Sequence, residues 1–537
     1  MKRKVLYLSS LVAIVLSSCT ISFGSSNSAS QIDSDTSSDS DPSSSETISD
    51  VPSTTSSENF SDSSSTLEEG WDNYYLPDEV DPYHSYQDLK MNVGIDAVPS
   101  PRTDIDILVI PIEFTDYSFS SKTLADIEIL FNGTPSQTKY WESVSSFYEK
   151  SSYGNQVMDF TVAPKYNTGL TASQASRLDT SYTQYFSTNL LRSAVDNYKL
   201  TNGSSSTRQF DADGNGYIDA VWMIYSCPNH SNSPTIKNIS EDFWAYVFWD
   251  YYDQSSSTTS PNPNAYAWAS YDFMYEGGGT NKVDAHTYIH ETGHLLGLDD
   301  YYNYDENSTY KPLGAIDMMD YNVGDHNAWS KMALGWLKPY VVTGDAQITI
   351  NPVESSGDAI LIADNWNGTS FDEFLLLELI TPTGLNDLDS KTIYADVYPL
   401  VYTQPGIRLL HIDSRLGIFN YYGGFIGYGD PGDLPLYNDS TQRYFDQVNS
   451  NTPSRSVANP DYRLVHMIQA GGTNTFDTGY TGTYSDLFRT GMSFSMANYG
   501  SEFFENGNKL NNGNSLGYTI DFINVNLSSA TIRVNKI

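Results

Sequence analysis

The chain has 537 residues and a net charge of −38 at pH 7, from 28 Lys and Arg against 66 Asp and Glu. So acidic a protein repels phosphate backbones and anionic lipid, which excludes a nucleic-acid partner and adhesion to a membrane through surface charge. Two cysteines exclude a disulfide scaffold and a cysteine-rich zinc finger, while 14% aromatic residues supply cores for two or three domains.

Lys2, Arg3 and Lys4 precede an apolar run from Val5 to Leu16, and Leu16-Ser17-Ser18-Cys19 follows. Basic, apolar and small, in that order, is the plan of a secretory signal, and the run is too short to span a bilayer. Leu, two small residues and Cys resemble a bacterial lipobox. Residues 1–19 are therefore expected to be a lipoprotein signal peptide, with Cys19 lipidated as the only membrane attachment. Residues 20–70 are rich in Ser, Asp and Thr, and no Lys or Arg occurs between Lys4 and Lys90. That composition predicts a disordered tether. The expected location is extracellular, anchored to the bacterial membrane.

An N-terminal segment, 71–104, leads into the folded part. Ile105–Phe114 reads as a strand, Leu124–Phe131 and Val144–Lys150 as helices, Val157–Val162 as a strand, Thr183–Tyr198 as a helix and Ala220–Tyr225 as a strand. Cys227 follows that last run and reads as a buried, unreactive thiol. From about Leu337 short strand-like runs take over: Ala359–Ile362, Glu373–Ile380, Ile407–Ile412 and Tyr518–Val534. The pattern predicts an α+β fold, with a mixed sheet and helices over 105–340 and an all-β, sandwich-like domain over 341–537.

His290-Glu291-Thr292-Gly293-His294 is an HExxH sequence. On a helix, positions i and i+4 share a face, so both imidazoles point at one metal while Glu291 reaches a water held there. A catalytic zinc takes three protein ligands. Gly297 ends the helix in a left-handed turn, and the chain returns with Asp299 and Asp300 as candidate third ligands. Asp211, Asp213 and Asn215, with Gly216 and Asp219, have the spacing of half an EF-hand loop, with the Tyr217 carbonyl contributing. Trp222 stands where the closing Glu belongs, so the expectation is a partial calcium site, with an Asx-rich turn as the plainer reading.

HExxHxxGxx followed by an acidic residue resembles the metzincins, with Asp at the usual third His. That departure is similar to the immune inhibitor A family of secreted bacterial metallopeptidases. The likeness covers roughly residues 105–415: Leu108–Asp116, Ser143–Tyr148 with Ser151–Gly154, Asp211–Asp219, Asp317–Asp320, Ala328–Lys331 with Leu334–Trp336, Glu373–Glu378 and Gly406–Asp413. The resemblance implies a metzincin-like domain with zinc held by His290, His294 and Asp300, the last favoured over Asp299 by its spacing. It implies Met319, beside Met318, as the floor of a methionine turn. It also implies Tyr321 as a switchable ligand or oxyanion donor, and 265–275 as the edge along which substrate lies.

The implied activity is a lipid-anchored zinc endopeptidase acting on proteins or peptides. The nucleophile is a zinc-bound water and Glu291 is the general base. The alternative is a surface adhesion lipoprotein using the peptidase fold as a scaffold, and a third reading is hydrolysis of a non-peptide amide or ester. A monomer is expected. His286 is expected to flank the helix start, and His411 with Asp413 to form a structural pair. His84, His230, His326 and His466 show no partner in the sequence, and Gly277-Gly278-Gly279 reads as a connector.

Overall fold

The computed structural model describes residues 70–80, 86, 88–89, 97–181, 185–250, 255–305, 308–420, 422–434, 443–503 and 508–537. The signal sequence, Cys19, the tether up to residue 69 and His84 lie outside the described residues. Helix and strand mix as an α+β fold.

The first sheet has strands Met158–Val162, Ile105–Glu113, Val221–Tyr225, Ala265–Ser270 and Tyr246–Trp249, in that spatial order. All neighbours run parallel except the last pair, which is antiparallel. Strict alternation along Ile105–Glu113 serves two cores. Ile107 and Val109 pack with Trp222, Ile127, Phe131, Phe147 and Tyr288 on one face. Leu108, Ile110 and Ile112 pack with Leu190, Leu191 and Ala194 of the helix Phe186–Asn202 on the other. A strand buried on both faces reads as the near-continuous apolar run seen in the sequence. Cys227 is buried just past Val221–Tyr225, and burial pushes its thiol well up.

The segment 265–275 is not an edge, contrary to expectation. Ala265–Ser270 lies between two strands, and Tyr246–Trp249 is outermost among the described strands of that sheet. The small residues Ala265, Ala267 and Ala269 share the core with Tyr288, Ile289 and Leu295 of the helix His286–Leu295.

The C-terminal half is β-rich, as the sequence predicts, and centres on one large sheet. Eight strands form one path in the order Val465–Ile468, Gly406–Asp413, Glu373–Ile380, Ile360–Ile362, Tyr340–Ile350, Ala530–Lys536, Tyr518–Val525, Ser493–Ser495. Asp72–Tyr75 adds a ninth, antiparallel to Tyr340–Ile350. A separate three-stranded sheet holds Phe425–Tyr428, Leu416–Phe419 and Tyr444–Gln447. One face of the large sheet, with Leu361, Leu376, Leu410 and Met467, joins the core that contains Trp329 and Met332. The other face, with Leu375, Leu409, Phe488 and Phe522, closes on its own apolar cluster. The two halves therefore share a core, and residue 340 marks a change of texture rather than a gap between bodies.

The N-terminal segment is built into this body. Tyr86 is buried edge-on to Trp329 and Phe371, and Val98 donates its N–H to Leu295 O at 2.9 Å.

Buried charges in the large sheet are paired. His411 Nε2 lies 2.9 Å from Glu373, and Asp413 is held by Arg415 at 2.7 Å, so both have structural partners. His466, expected to lack a partner, lies 3.1 Å from Glu502 through Nε2 and 3.1 Å from the Tyr310 hydroxyl through Nδ1. Burial pushes Glu502 up to about 8, and burial with the neighbouring His411 holds His466 down at about 3. Folded Glu502 thus binds its proton more tightly than the unfolded chain does. The stability it contributes is complete below its unfolded value and is lost as pH rises through about 8. Glu502→Gln should stabilise the fold at pH 8 by an amount on the order of a few kcal/mol and flatten the slope between pH 5 and 8. Urea unfolding at the two pH values reads this, and parallel slopes for both proteins would sink the assignment.

Candidate metal centre

The helix that carries HExxH runs from His286 to Leu295 and every one of its residues is buried. Asp284 Oδ1 caps its start by accepting from His286 N at 3.0 Å. The same oxygen lies 2.7 Å from His286 Nδ1, and Asp389 holds Nε2 at 3.2 Å. The His286 ring is stacked between Trp141 and Tyr394, each 4.0 Å away. Burial opposes its charge, but Asp389 and Asp284 outweigh it and push His286 up to about 10. His286 therefore anchors the helix start, as expected, and its two ring nitrogens are spent there. Tyr148 pins the middle of the helix by donating to Ile289 O at 2.7 Å, and Trp222 Nε1 donates to Thr292 Oγ1 at 3.1 Å.

The helix ends in a Schellman turn. Leu298 N donates to Gly293 O and Gly297 N to His294 O, both at 3.0 Å, with Gly297 at φ 106°. A side chain at that φ would be strained. The turn brings the Leu298 carbonyl back to His294 Nδ1 at 2.8 Å and delivers Asp300 to the histidine pair. Asp300 Oδ1 stands 2.8 Å from His290 Nε2 and 3.2 Å from His294 Nε2. Asp299 instead accepts from the Tyr86 hydroxyl at 3.4 Å. The geometry thus separates the two candidates, and Asp300 is the one that joins the histidines.

The methionine segment closes the site from below. Asp317 Oδ1 caps the short helix Met318–Tyr321 by accepting from Met319 N at 3.0 Å. Met318 O accepts from His290 Nδ1 at 2.8 Å, so this residue acts through its backbone, which no sequence signal announces. Met319 lies under Gly293, where a Cβ would stand 2.5 Å from Sδ. Gly293→Ala is expected to cost about 1–3 kcal/mol by overpacking, more than the roughly 1 kcal/mol that helix propensity returns. Combining it with Met319→Ala should cost less than the two singles summed, since each makes room for the other, and additive costs in thermal unfolding would count against this contact.

The Tyr321 ring packs on Tyr398, with centroids 6.3 Å apart, and lies under Lys311. The tyrosines beside the ligands are Tyr302, whose ring lies 6.5 Å from that of His290, and Tyr304, whose hydroxyl donates to Asp300 Oδ2. Only the local richness in tyrosine around 301–304 pointed to them. An open polar cleft adjoins this corner, lined by Asp299, Asp300, Tyr304, Gln447, Asn449 and Arg455.

Both Nδ1 atoms face carbonyls, so each carries hydrogen and each Nε2 turns toward Asp300. Neither contact has hydrogen-bond geometry, and Asp300 Oδ1 is a buried carboxylate oxygen with no hydrogen-bond partner among the described residues. Two things satisfy such an arrangement. One is a proton: burial opposes it, but Asp300 outweighs burial and pushes His294 up to about 9, while His294 and His290 hold Asp300 well down. The other is a divalent cation, and two neutral imidazoles with one carboxylate form a zinc donor set. Glu291 is 4% exposed, lies one residue past the first histidine, and has no hydrogen-bond partner among the described residues. Burial pushes it up to about 7.

No protein-family model matches this chain, and neither does any curated protein. The geometry above therefore carries the functional argument.

The acidic loop gathers as the spacing predicts. Asp211, Asp213 and Asp219 bring carboxylate oxygens within 4.8 Å of one another. Asp211 Oδ1 is buried without a hydrogen-bond partner among the described residues, and burial raises that carboxyl. Asn215 turns its Oδ1 to Tyr217 N at 2.8 Å and its Nδ2 to Asp213 at 2.9 Å, so the Asn215 side chain bonds within the loop. The remaining histidines have structural settings. His230 lies 2.7 Å from Glu241 O and stacks on Trp244, and His326 is buried among Phe147, Tyr148 and Trp336. Gly277 is a packed position rather than a loose connector, since a Cβ there would stand 1.9 Å from Asp284 Oδ2.

Proposed function

We propose that this chain is a zinc-dependent endopeptidase of the kind its motifs resemble, a metzincin-like enzyme akin to the immune inhibitor A family, displayed outside the cell through lipid on Cys19. The convergence of His290 Nε2, His294 Nε2 and the orphan oxygen of Asp300, with Glu291 unengaged beside them, carries the reading. The mixed sheet under an active-site helix, and the methionine under Gly293, support it.

His290, His294 and Asp300 would hold a zinc ion, which would supply Lewis acidity to a water and to a carbonyl. The protein supplies the rest. Met318 O and Leu298 O fix the tautomer and tilt of the two imidazoles. Glu291 takes a proton from the attacking water and returns it to the leaving amine. Asp211, Asp213 and Asp219 fit a calcium ion that would stiffen the entry to Val221–Tyr225.

The test is metal analysis of the purified full chain together with incubation against an unfolded protein. One zinc per chain and cleavage abolished by a chelator are the expected results. A chain that binds no zinc ends the proposal, and a zinc-loaded chain that leaves polypeptide intact but cleaves amides or esters of small molecules replaces it.

A further inference from the structure

A carboxylate ligand has two oxygens, and its strength as a ligand depends on which of them faces the metal and how firmly. Asp300 turns Oδ1 to the histidines, and Oδ2 accepts a hydrogen bond from the Tyr304 hydroxyl. Residues 299–305 contain neither helix nor strand, so no local backbone ladder fixes the Tyr304 ring. The fixing comes from a turn some 150 residues away in sequence. Thr452 Oγ1 accepts from Tyr304 N at 3.0 Å. Arg455 lays its guanidinium over the Tyr304 ring, 4.2 Å from the centroid. Asn451 Nδ2 donates to Tyr301 O at 3.0 Å, and Ser454 Oγ donates to Asp305 Oδ1 at 2.7 Å. On the near side Tyr302 meets the Tyr304 ring edge-on at 5.0 Å. Four contacts from residues 451–455 thus land on 301–305, and none goes to a proposed ligand itself.

We infer that Tyr304 is the positioning residue of the third ligand, and that the 451–455 turn of the C-terminal region sets the metal affinity of the site by holding Tyr304 in place. This rests on the zinc reading above. It gives the C-terminal half a task in the chemistry: it completes the outer support of a site whose ligands all lie in the N-terminal half. With Oδ2 engaged by Tyr304, Asp300 binds through one oxygen. With the hydroxyl gone, both oxygens compete for the metal and the carboxylate turns more freely.

The experiment measures zinc affinity of the full chain by chelator competition, for wild type, Tyr304→Phe, Arg455→Met and Thr452→Val. Outer-support hydrogen bonds of this kind are worth about 10–100-fold in metal affinity. Tyr304→Phe should lose that much while the metal-free protein melts only a little below wild type, because the ring and its stacking remain and one hydrogen bond to Asp300 is lost. In the cobalt-substituted protein its visible bands should weaken and shift as coordination rises above four. Arg455→Met and Thr452→Val should move affinity in the same direction by less. Unchanged zinc affinity and an unchanged cobalt spectrum in Tyr304→Phe overturn the inference, as does an affinity loss matched by an equal loss of metal-free stability. If Tyr304→Phe does not fold, Arg455→Met decides, and undiminished affinity there overturns it. Absence of zinc from the wild type removes the zinc reading and this inference together, whereas zinc on wild type and equally on the variants removes this inference alone.

Discussion

Glu291→Ala should abolish peptide hydrolysis while the protein keeps its zinc. The three ligand atoms come from His290, His294 and Asp300, so the metal loses no bond when Glu291 is cut back. The fold loses little either, since the Glu291 carboxylate is buried and has no hydrogen-bond partner among the described residues. Such a group costs stability where it stands. What disappears is the buried carboxylate beside the ligands that would accept the proton of the attacking water. A positioned base contributes about 10²–10⁴-fold, and a turnover drop of that size or greater is expected. The check is the rate of cleavage of an unfolded protein beside zinc content and melting temperature. Retained zinc with retained turnover would remove Glu291 from its role, and lost zinc would show that it supports the metal instead.

Arg408→Met should be among the most damaging single changes outside the site. Arg408 lies on Gly406–Asp413, 2% exposed, directly opposite Glu378 on the neighbouring strand, and the two form a buried ion pair. Its Nη1 donates to Ile316 O at 3.1 Å and lies 3.7 Å from Asp317. Asp317 in turn caps the segment that presents Met318 O to His290. Removing the guanidinium leaves Glu378 and Asp317 as buried charges without compensation, which costs about 3–5 kcal/mol. Burial already pushes Asp317 up to about 6, with Arg408 as the main group pulling it back. In the variant its folded pKa rises further, so stability is lost more steeply as pH climbs through and above 6, and the damage is greater at pH 8 than at pH 5. Urea unfolding at both pH values reads this. A loss under about 1 kcal/mol would mean that the pair merely breaks even against an apolar replacement.

The elements that the sequence announces are those in which one residue's chemistry decides its place. HExxH with Gly297 predicts the helix, its stop and the return of the chain, and all three are present. Apolar runs predict Ile105–Glu113, Val221–Tyr225 and Glu373–Ile380 almost to the residue. The run 518–534 resolves into two strands around a turn at 526–529, since Asn526 and Ser529 close a hairpin that a hydropathy window blurs. What the sequence conceals is set at long range. Tyr340–Ile350 carries Thr, Gly, Asp and Gln, and is a strand because three others pair with it. The choice between Asp299 and Asp300 depends on Tyr86 drawing the former away. Tyr304 gains its place from residues 451–455, far away in sequence.

The described residues ahead of Ile105–Glu113 are tied into the fold at three separate places. Asp72–Tyr75 is hydrogen-bonded into the large sheet, Tyr86 fills a slot between Trp329 and Phe371 while holding Asp299 off the ligand cluster, and Val98 ties down the end of the active-site helix. A protease that trimmed this chain back to Ile105 would strip an edge strand, open a hole in the core and loosen the motif helix in one cut. Residues 71–104 therefore behave as part of the folded body rather than as a separable cap, through the edge strand, the core side chain and the helix tie that their described members supply.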